Sequence, residues 1–194
     1  MELILVRHAE PVEAHREEGV PADPGLSERG RIQAEQAAAW LTSRRIDRVV
    51  SSPARRAKET AVATASLANV DVVLEDRLRD ANEDPSHYVP IEVDRARDRE
   101  GYLERVESYR SSPRLAGIVS RVNASLEEWI GEAQGQRIAV FCHGSVINVY
   151  AAGVLGLDAL AFLEAGYASA HRFMISSKGI RSVQSLNETA YLDG

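Results

Sequence analysis

Two histidines at the ends of apolar runs are the residues best placed to do chemistry. Leu3-Ile4-Leu5-Val6 leads directly into Arg7-His8, and Arg137–Cys142 leads into His143-Gly144-Ser145. Histidine can serve as base, metal ligand or nucleophile. The arginine beside His8 carries a planar cation whose geometry matches phosphate and carboxylate. A third group, Ser51-Ser52-Pro53-Ala54-Arg55-Arg56-Ala57, follows the apolar stretch from Asp47. In open α/β sheets, ligands sit just outside the carboxyl ends of the strands. If the three runs are parallel neighbours, two histidines and two or three arginines share one pocket. Gathering like charges is costly unless an anion neutralises them, and a tetrahedral phosphoryl group is the natural one. Helix N-termini at the same strand ends attract anions too.

Elements of two kinds must hold these groups. Leu3–Val6, Asp47–Ser51, Val70–Leu74, Arg137–Cys142, Ala170–Ser176 and Ile180–Leu186 read as strands, the last two joined by a turn near Lys178-Gly179. Helical patterns lie between them. One starts at Ser27 as N-cap and runs through Ala34, Ala37, Ala38 and Leu41. Ser52-Pro53 opens another, with serine as cap and proline at the first helical position. Leu115–Ile130 has apolar residues at helical spacing, and Gly144–Leu155 follows a strand directly. This alternation predicts an α/β fold. It is a three-layer α/β/α sandwich with a mostly parallel central sheet of about six strands and helices on both faces. Residues 1–194 read as a single domain with a lid-like insertion at about 80–112. That stretch is highly charged, is broken by Pro85, Pro90 and Pro113, and has room for a short helix near Gly101–Tyr109. Such segments are either lids and specificity elements or plain solvated surface.

Composition narrows the class. The formal net charge of −6 argues against a general nucleic-acid binder. Cys142 is the only cysteine, so no intrachain disulfide forms, which fits a reducing compartment. The apolar opening breaks at Arg7, unlike a secretory leader, and no stretch approaches the roughly 20 apolar residues that span a membrane. A soluble, cytoplasmic protein without membrane or nucleic-acid partners is expected. No cluster has zinc-like spacing, so neither metal nor other cofactor is expected.

Five segments together resemble the histidine phosphatase superfamily, the phosphoglycerate-mutase-like group. Leu5-Val6-Arg7-His8 matches the family's Arg-His-Gly opening, with Ala9 in place of glycine. Leu26-Ser27-Glu28-Arg29-Gly30-Arg31-Ile32-Gln33-Ala34 resembles Leu-Thr-Glu-x-Gly-x-x-Gln-Ala. Ser51-Ser52-Pro53-Ala54-Arg55-Arg56-Ala57 and the residues to Ala61 resemble Ser-Ser-Pro-x-x-Arg-Ala-x-x-Thr-Ala. Phe141-Cys142-His143-Gly144 resembles the second His-Gly motif, and Asn187–Leu192 the closing Asn-x-Thr-x-His-Leu, with Tyr191 replacing histidine. The matches run in order over nearly the whole chain.

The resemblance implies roles. His8 is the nucleophile that becomes a phosphohistidine. Arg7 and Arg56 hold phosphoryl oxygens, and His143 stabilises the charge spread over them. Motif spacing selects Arg56 over Arg55, which lies about 100° away around the helix. The leaving group needs a proton, and Leu78-Arg79-Asp80 occupies the place of the family's Leu-x-Glu, making Asp80 the candidate acid; Glu83 is an alternative, and neither reaching the site is a third. Gly144, Ser145 and Glu10 are candidate substrate-binding wall residues, although Ser145 at a helix start also suits capping. His15, His87 and His171 have no motif context, and His171, in a predicted strand, reads as structural. Cys142 should be a buried small hydrophobe. The resemblance implies hydrolysis of a small phosphorylated substrate, a phosphomonoester, through phosphohistidine. Mutase-type transfer, a non-catalytic phosphate-binding module, and a phosphatase acting on a partner's phosphohistidine or phosphoserine are the alternatives.

Overall fold

The computed structural model describes residues 1–15, 22–81, 87–110 and 112–192. The alternative acid Glu83 therefore lies outside the described residues. The strands are β1 (Glu2–Arg7), β2 (Ala14–His15), β3 (Arg48–Ser51), β4 (Val72–Leu74), β5 (His87–Tyr88), β6 (Arg137–Cys142), β7 (Ala170–Ile175) and β8 (Arg181–Glu188). The helices are α1 (Glu28–Thr42), α2 (Arg55–Ala68), α3 (Ile91–Arg97), α4 (Arg99–Arg110), α5 (Pro113–Glu132) and α6 (Gly144–Leu155). The main sheet has six strands in the order β4-β3-β6-β1-β7-β8. The pairs β4-β3, β3-β6 and β6-β1 are parallel, and β1-β7 and β7-β8 are antiparallel. β2 and β5 form a separate small antiparallel ladder.

Side-chain alternation splits β1 between two cores, as a strand buried on both faces requires. Leu3 and Leu5 join the cluster built on α5 and α6, while Ile4 and Val6 join the one that includes Leu41 of α1 and Ala61 of α2. β6 repeats the pattern, with Ile138, Val140 and Cys142 on the first side and Ala139 and Phe141 on the other. The amphipathic α5 buries Leu115, Ile118, Val122, Leu126 and Ile130 at helical spacing, as its sequence predicts. Ser27 caps α1 as expected, accepting from Gly30 N at 2.9 Å. Gly30 has a second reason to be glycine: a Cβ there would stand 2.0 Å from Glu10 O. The β7–β8 turn closes through Gly179, whose φ of +78° is readily reached only without a Cβ.

Two expectations need correction. α2 begins at Arg55, not at Pro53, and its N-cap Ala54 offers no side chain. Ser52 is engaged by His143 instead, and the free Arg55 N–H is taken by Asp23 Oδ1 at 2.9 Å from a distant loop. In residues 87–110 the helix expected near Gly101–Tyr109 forms as α4, and a second helix that was not expected, α3, precedes it. Pro90 precedes α3, and Asp98 Oδ1 accepts from Gly101 N at 3.0 Å at the start of α4. Their charge is ordered into ion pairs: Arg95 to Glu164 at 2.6 Å, Arg97 to Glu13 at 2.8 Å and Arg105 to Asp94 at 2.8 Å.

His171 is buried in a proton-ordered chain. Asn187 N donates to its Nδ1 at 3.2 Å, leaving Nε2–H to donate to Ser169 Oγ at 3.0 Å, whose hydroxyl donates to Gly166 O at 2.7 Å. Burial first, and Arg7 second, push its pKa down to about 3. The unfolded chain therefore takes up a proton on this residue below about pH 6.5 while the folded chain does not. Stability is full above that value and declines as pH falls toward 3. Between pH 6.5 and 5 the loss from His171 alone is expected to be about 2 kcal/mol. Denaturant melts at the two pH values, on wild type and His171→Gln, check this: the variant should show a shallower decline.

Candidate active site

The carboxyl ends of β1, β3 and β6 lie on one edge of the sheet, so their three motifs meet. His8 leaves β1 held on both sides: its N donates to Cys142 O at 2.9 Å, and Ala168 N donates to its O at 3.2 Å. Its Nδ1 lies 2.9 Å from Ala9 O. A carbonyl can only accept, so Nδ1 carries the hydrogen and Nε2 keeps its lone pair. Burial, followed by the charges of Arg56 and Arg7 and by His143, holds the His8 pKa well below the ordinary histidine value. A neutral imidazole with a bare Nε2 is the nucleophilic form. Ala9, standing at the family's glycine position, sends its methyl into a small cluster with Leu26, Ala34 and Ala37. Its N–H donates to Thr60 Oγ1 at 3.0 Å.

Two guanidinium groups flank this nitrogen. Arg7 donates to Ala165 O at 2.5 Å and lies 4.0 Å over the Tyr167 ring, with Glu92 Oε1 also at 4.0 Å. Arg56 is 3% exposed, lies 4.7 Å over the Tyr88 ring, and has a buried Nε without a partner among the described residues. A buried donor left unmatched is expensive, and an anion in the site would match it. Arg55 points outward to Glu59 at 2.7 Å, as the spacing argument expects.

His143 is fully buried, its ring centroid 5.3 Å from that of His8. Arg56 Nη2 stands 3.3 Å from its Nδ1, and Ser52 Oγ 2.9 Å from its Nε2. Because arginine can only donate, Nδ1 accepts and Nε2–H donates to Ser52. Burial, then Arg56 and Arg7, lower its pKa strongly, so it is neutral. When a phosphoryl group draws Arg56 Nη2 away from Nδ1, Ser52 Oγ can turn to donate to Nε2, and the imidazole proton then sits on Nδ1, facing the site. Ser52→Ala should lower kcat by about 10-fold to 100-fold, the cost of one buried hydrogen bond. Steady-state kinetics beside histidine ¹⁵N spectra, which report the tautomer, check this.

Asp80 reaches the site. Its Oδ2 is 3.7 Å from Arg56 Nη2 and 3.9 Å from His143 Nδ1. Its Oδ1 accepts from Ser145 Oγ at 2.5 Å and from Ala81 N at 2.8 Å. Arg121 of α5 grips the loop from behind, donating to the carbonyls of Arg77, Arg79 and Asp80. Ser145 therefore orients Asp80 and does not cap α6, whose N-cap is His143. Gly144 and Ser145 line the cavity, but Glu10 does not. The Glu10 carboxylate is drawn to the start of α1, where Ser27 Oγ donates to it at 2.8 Å and Arg29 lies 3.6 Å away.

Sequence reasoning passed over Tyr167, Tyr88, Arg121 and Asn148, and it read Ser52 as a helix cap. Asn148 of α6 fixes the wall opposite α3 and α4. Its Nδ2 donates to Gly144 O and Leu163 O, and its Oδ1 accepts from Phe162 N and Leu163 N, all at 2.8–2.9 Å. Ser52 carried a signal in its motif; Tyr167 and Ala165 lie in a stretch without periodicity and had none.

The resulting arrangement can hold a phosphoryl group between two arginines and a second histidine, with an open nucleophilic nitrogen on one side and a carboxyl group near. Phosphoserine phosphatase 1 of Hydrogenobacter thermophilus is 31% identical, over 99% of this chain and 94% of that protein. A probable phosphoglycerate mutase of Escherichia coli is 27% identical, over 83% of this chain and 78% of its own length. The fold matches that of a mycobacterial glucosyl-3-phosphoglycerate phosphatase with a TM-score of 0.76 at 22% identity, covering 97% of this chain and 99% of that one. The model of the histidine phosphatase superfamily (branch 1) matches residues 3–189. The chain belongs to the histidine phosphatase superfamily.

Proposed function

We propose that the protein is a phosphatase that hydrolyses a small phosphomonoester in two steps. The observation that carries this reading is the bare Nε2 of His8, fixed by the Nδ1 bond to Ala9 O and set between Arg7, Arg56 and His143. In the first step Nε2 attacks phosphorus and the ester P–O bond breaks. Asp80 gives its proton to the departing alkoxide, leaving an alcohol and a phosphohistidine. In the second step a water attacks phosphorus, Asp80 takes the water proton, and the P–N bond breaks to release inorganic phosphate. Arg7 and Arg56 hold phosphoryl oxygens through both transition states, where positioned positive charge does most of the work, and the neutral His143 donates to a further oxygen from Nδ1 once Ser52 donates to its Nε2. Within one domain, the insertion acts as a lid through α3 and α4, which stand beside the space for the leaving group. The lone, buried Cys142 suits the cytoplasm, and no helix among the described residues is long and apolar enough to cross a membrane.

The test is phosphate release from alkyl and aryl phosphomonoesters, with His8→Ala as the blank. Release above the blank supports the phosphatase; transfer between hydroxyls of phosphoglycerate without release supports a mutase; binding without either supports a non-catalytic module. Asp80→Asn separates the acid from the cradle. It should slow alkyl esters by about 100-fold to 10,000-fold. It should barely affect p-nitrophenyl phosphate, whose phenolate leaves unprotonated. An equal loss on both would remove Asp80 from the acid role.

A further inference from the structure

The cavity above the phosphoryl cradle encloses about 630 Å³, within the roughly 300–1,000 Å³ range of pockets that take drug-sized ligands. It extends well past the reacting atoms. One wall comes from the lid: Ile91 of α3, Val106 and Tyr109 of α4, and Tyr88 beside them. The other is the segment that carries Phe162 and Leu163. That second wall is rigid, because the amide of Asn148 has both its hydrogens and both its acceptor positions engaged in holding it.

The charges that reach this outer space are already neutralised. Arg105 is bidentate to Asp94, at 2.8 and 3.1 Å, and lies 3.5 Å from Asp98. Glu164 accepts from Arg95 at 2.6 Å, and Arg110 lies 3.7 Å from Glu107. On the lid side, Glu92 stands beside Arg7 with one buried oxygen lacking a hydrogen-bond partner among the described residues. A second anionic group on the substrate would have to displace one of these ion pairs and approach Glu92. An apolar group would only displace water from the aromatic and aliphatic walls.

We propose that this outer cavity is a leaving-group subsite for an apolar or aromatic alcohol, so the preferred phosphomonoesters carry no second anionic group. The proposal rests on the phosphatase reading above. It sets this chain apart from relatives named for phosphoserine or a phosphoglycerate ester.

The test compares kcat/KM of the intact protein on three esters of primary alcohols: 2-phenylethyl phosphate, O-phosphoserine and glycerol 3-phosphate carrying a carboxylate in place of one hydroxymethyl group (3-phosphoglycerate). Their similar leaving groups keep intrinsic reactivity comparable. The phenylethyl ester should exceed both others by at least about tenfold, the worth of burying one to two methylenes. Val106→Asp should narrow that ratio, and the milder Val106→Ser should narrow it less. Equal or faster turnover of either carboxylate substrate overturns the subsite while leaving the phosphatase intact. So does an unchanged ratio in Val106→Asp that retains wild-type helicity. Turnover of none of the three, against the His8→Ala blank, overturns the phosphatase reading and the subsite with it.

Discussion

His8→Ala should abolish covalent labelling by a ³²P-labelled acyl or aryl phosphate and lower kcat/KM by at least about 10,000-fold, the scale seen when a nucleophile is removed from a preassembled site. Nδ1–H is committed to Ala9 O, so the ring can present only Nε2. Burial and three neighbouring groups keep the ring neutral, so its lone pair is available across the physiological range. Among the described residues no other imidazole is free to stand in that place: His143 has its Nδ1 in contact with Arg56 and its Nε2 with Ser52. Digestion without acid, which preserves the P–N bond, should locate the label in the peptide containing His8. Label on a different residue, or full turnover in the alanine variant, would overturn the assignment.

The second large effect is expected at Arg56. Arg56→Ala should reduce kcat/KM by about 1,000-fold to 100,000-fold, as for other arginines that stabilise a transferring phosphoryl group. Lysine should recover little, because a single ammonium cannot reproduce a planar fork that spans two oxygens. Arg56 is also the hinge of the local electrostatics. It lowers the pKa of both His8 and His143, and it lies within 3.7 Å of Asp80. Its loss should therefore raise the pKa of His8 as well as remove a guanidinium from the site, and the acid limb of the kcat/KM profile should move to higher pH. A uniform drop with no movement of that limb would confine Arg56 to binding.

The parts of this protein that could be read in its sequence are those in which one residue does one job. β1 and β6 are uninterrupted apolar runs because they are buried on both faces, and α5 shows its stripe because one face meets the core. Arg7, His8, Arg56 and His143 could be found because each sits at a strand end or at a fixed step into a helix. Where a residue type serves two purposes, reading failed. Ser52 before a proline looks like a cap, yet its hydroxyl faces a histidine that is 91 residues away. Glu10 follows the nucleophile closely, yet its carboxylate is claimed by Ser27. α3 and α4 are poorly amphipathic, and what ties α3 down is pairing of Arg95 and Arg97 with Glu164 and Glu13, partners far along the chain. Tyr191, at the family's histidine position, keeps a place in the fold by stacking on Trp40 at 4.6 Å and donating to Ala168 O at 2.5 Å.

The position of β1 has a consequence for biosynthesis. It is made well before its two neighbours in the sheet, β6 and β7, which follow more than 130 residues later. Until then Leu3–Val6 is an apolar ribbon with both edges unpaired, the kind of segment that associates with other nascent chains. The order of pairing is fixed by topology, so His8 is set in place among the last steps of folding. Nearly every contact that defines the site is long-range, which predicts slow refolding for a chain of this size. An incomplete chain released early would expose its most apolar strand while lacking half of its phosphate cradle, giving quality-control proteases a distinctive target.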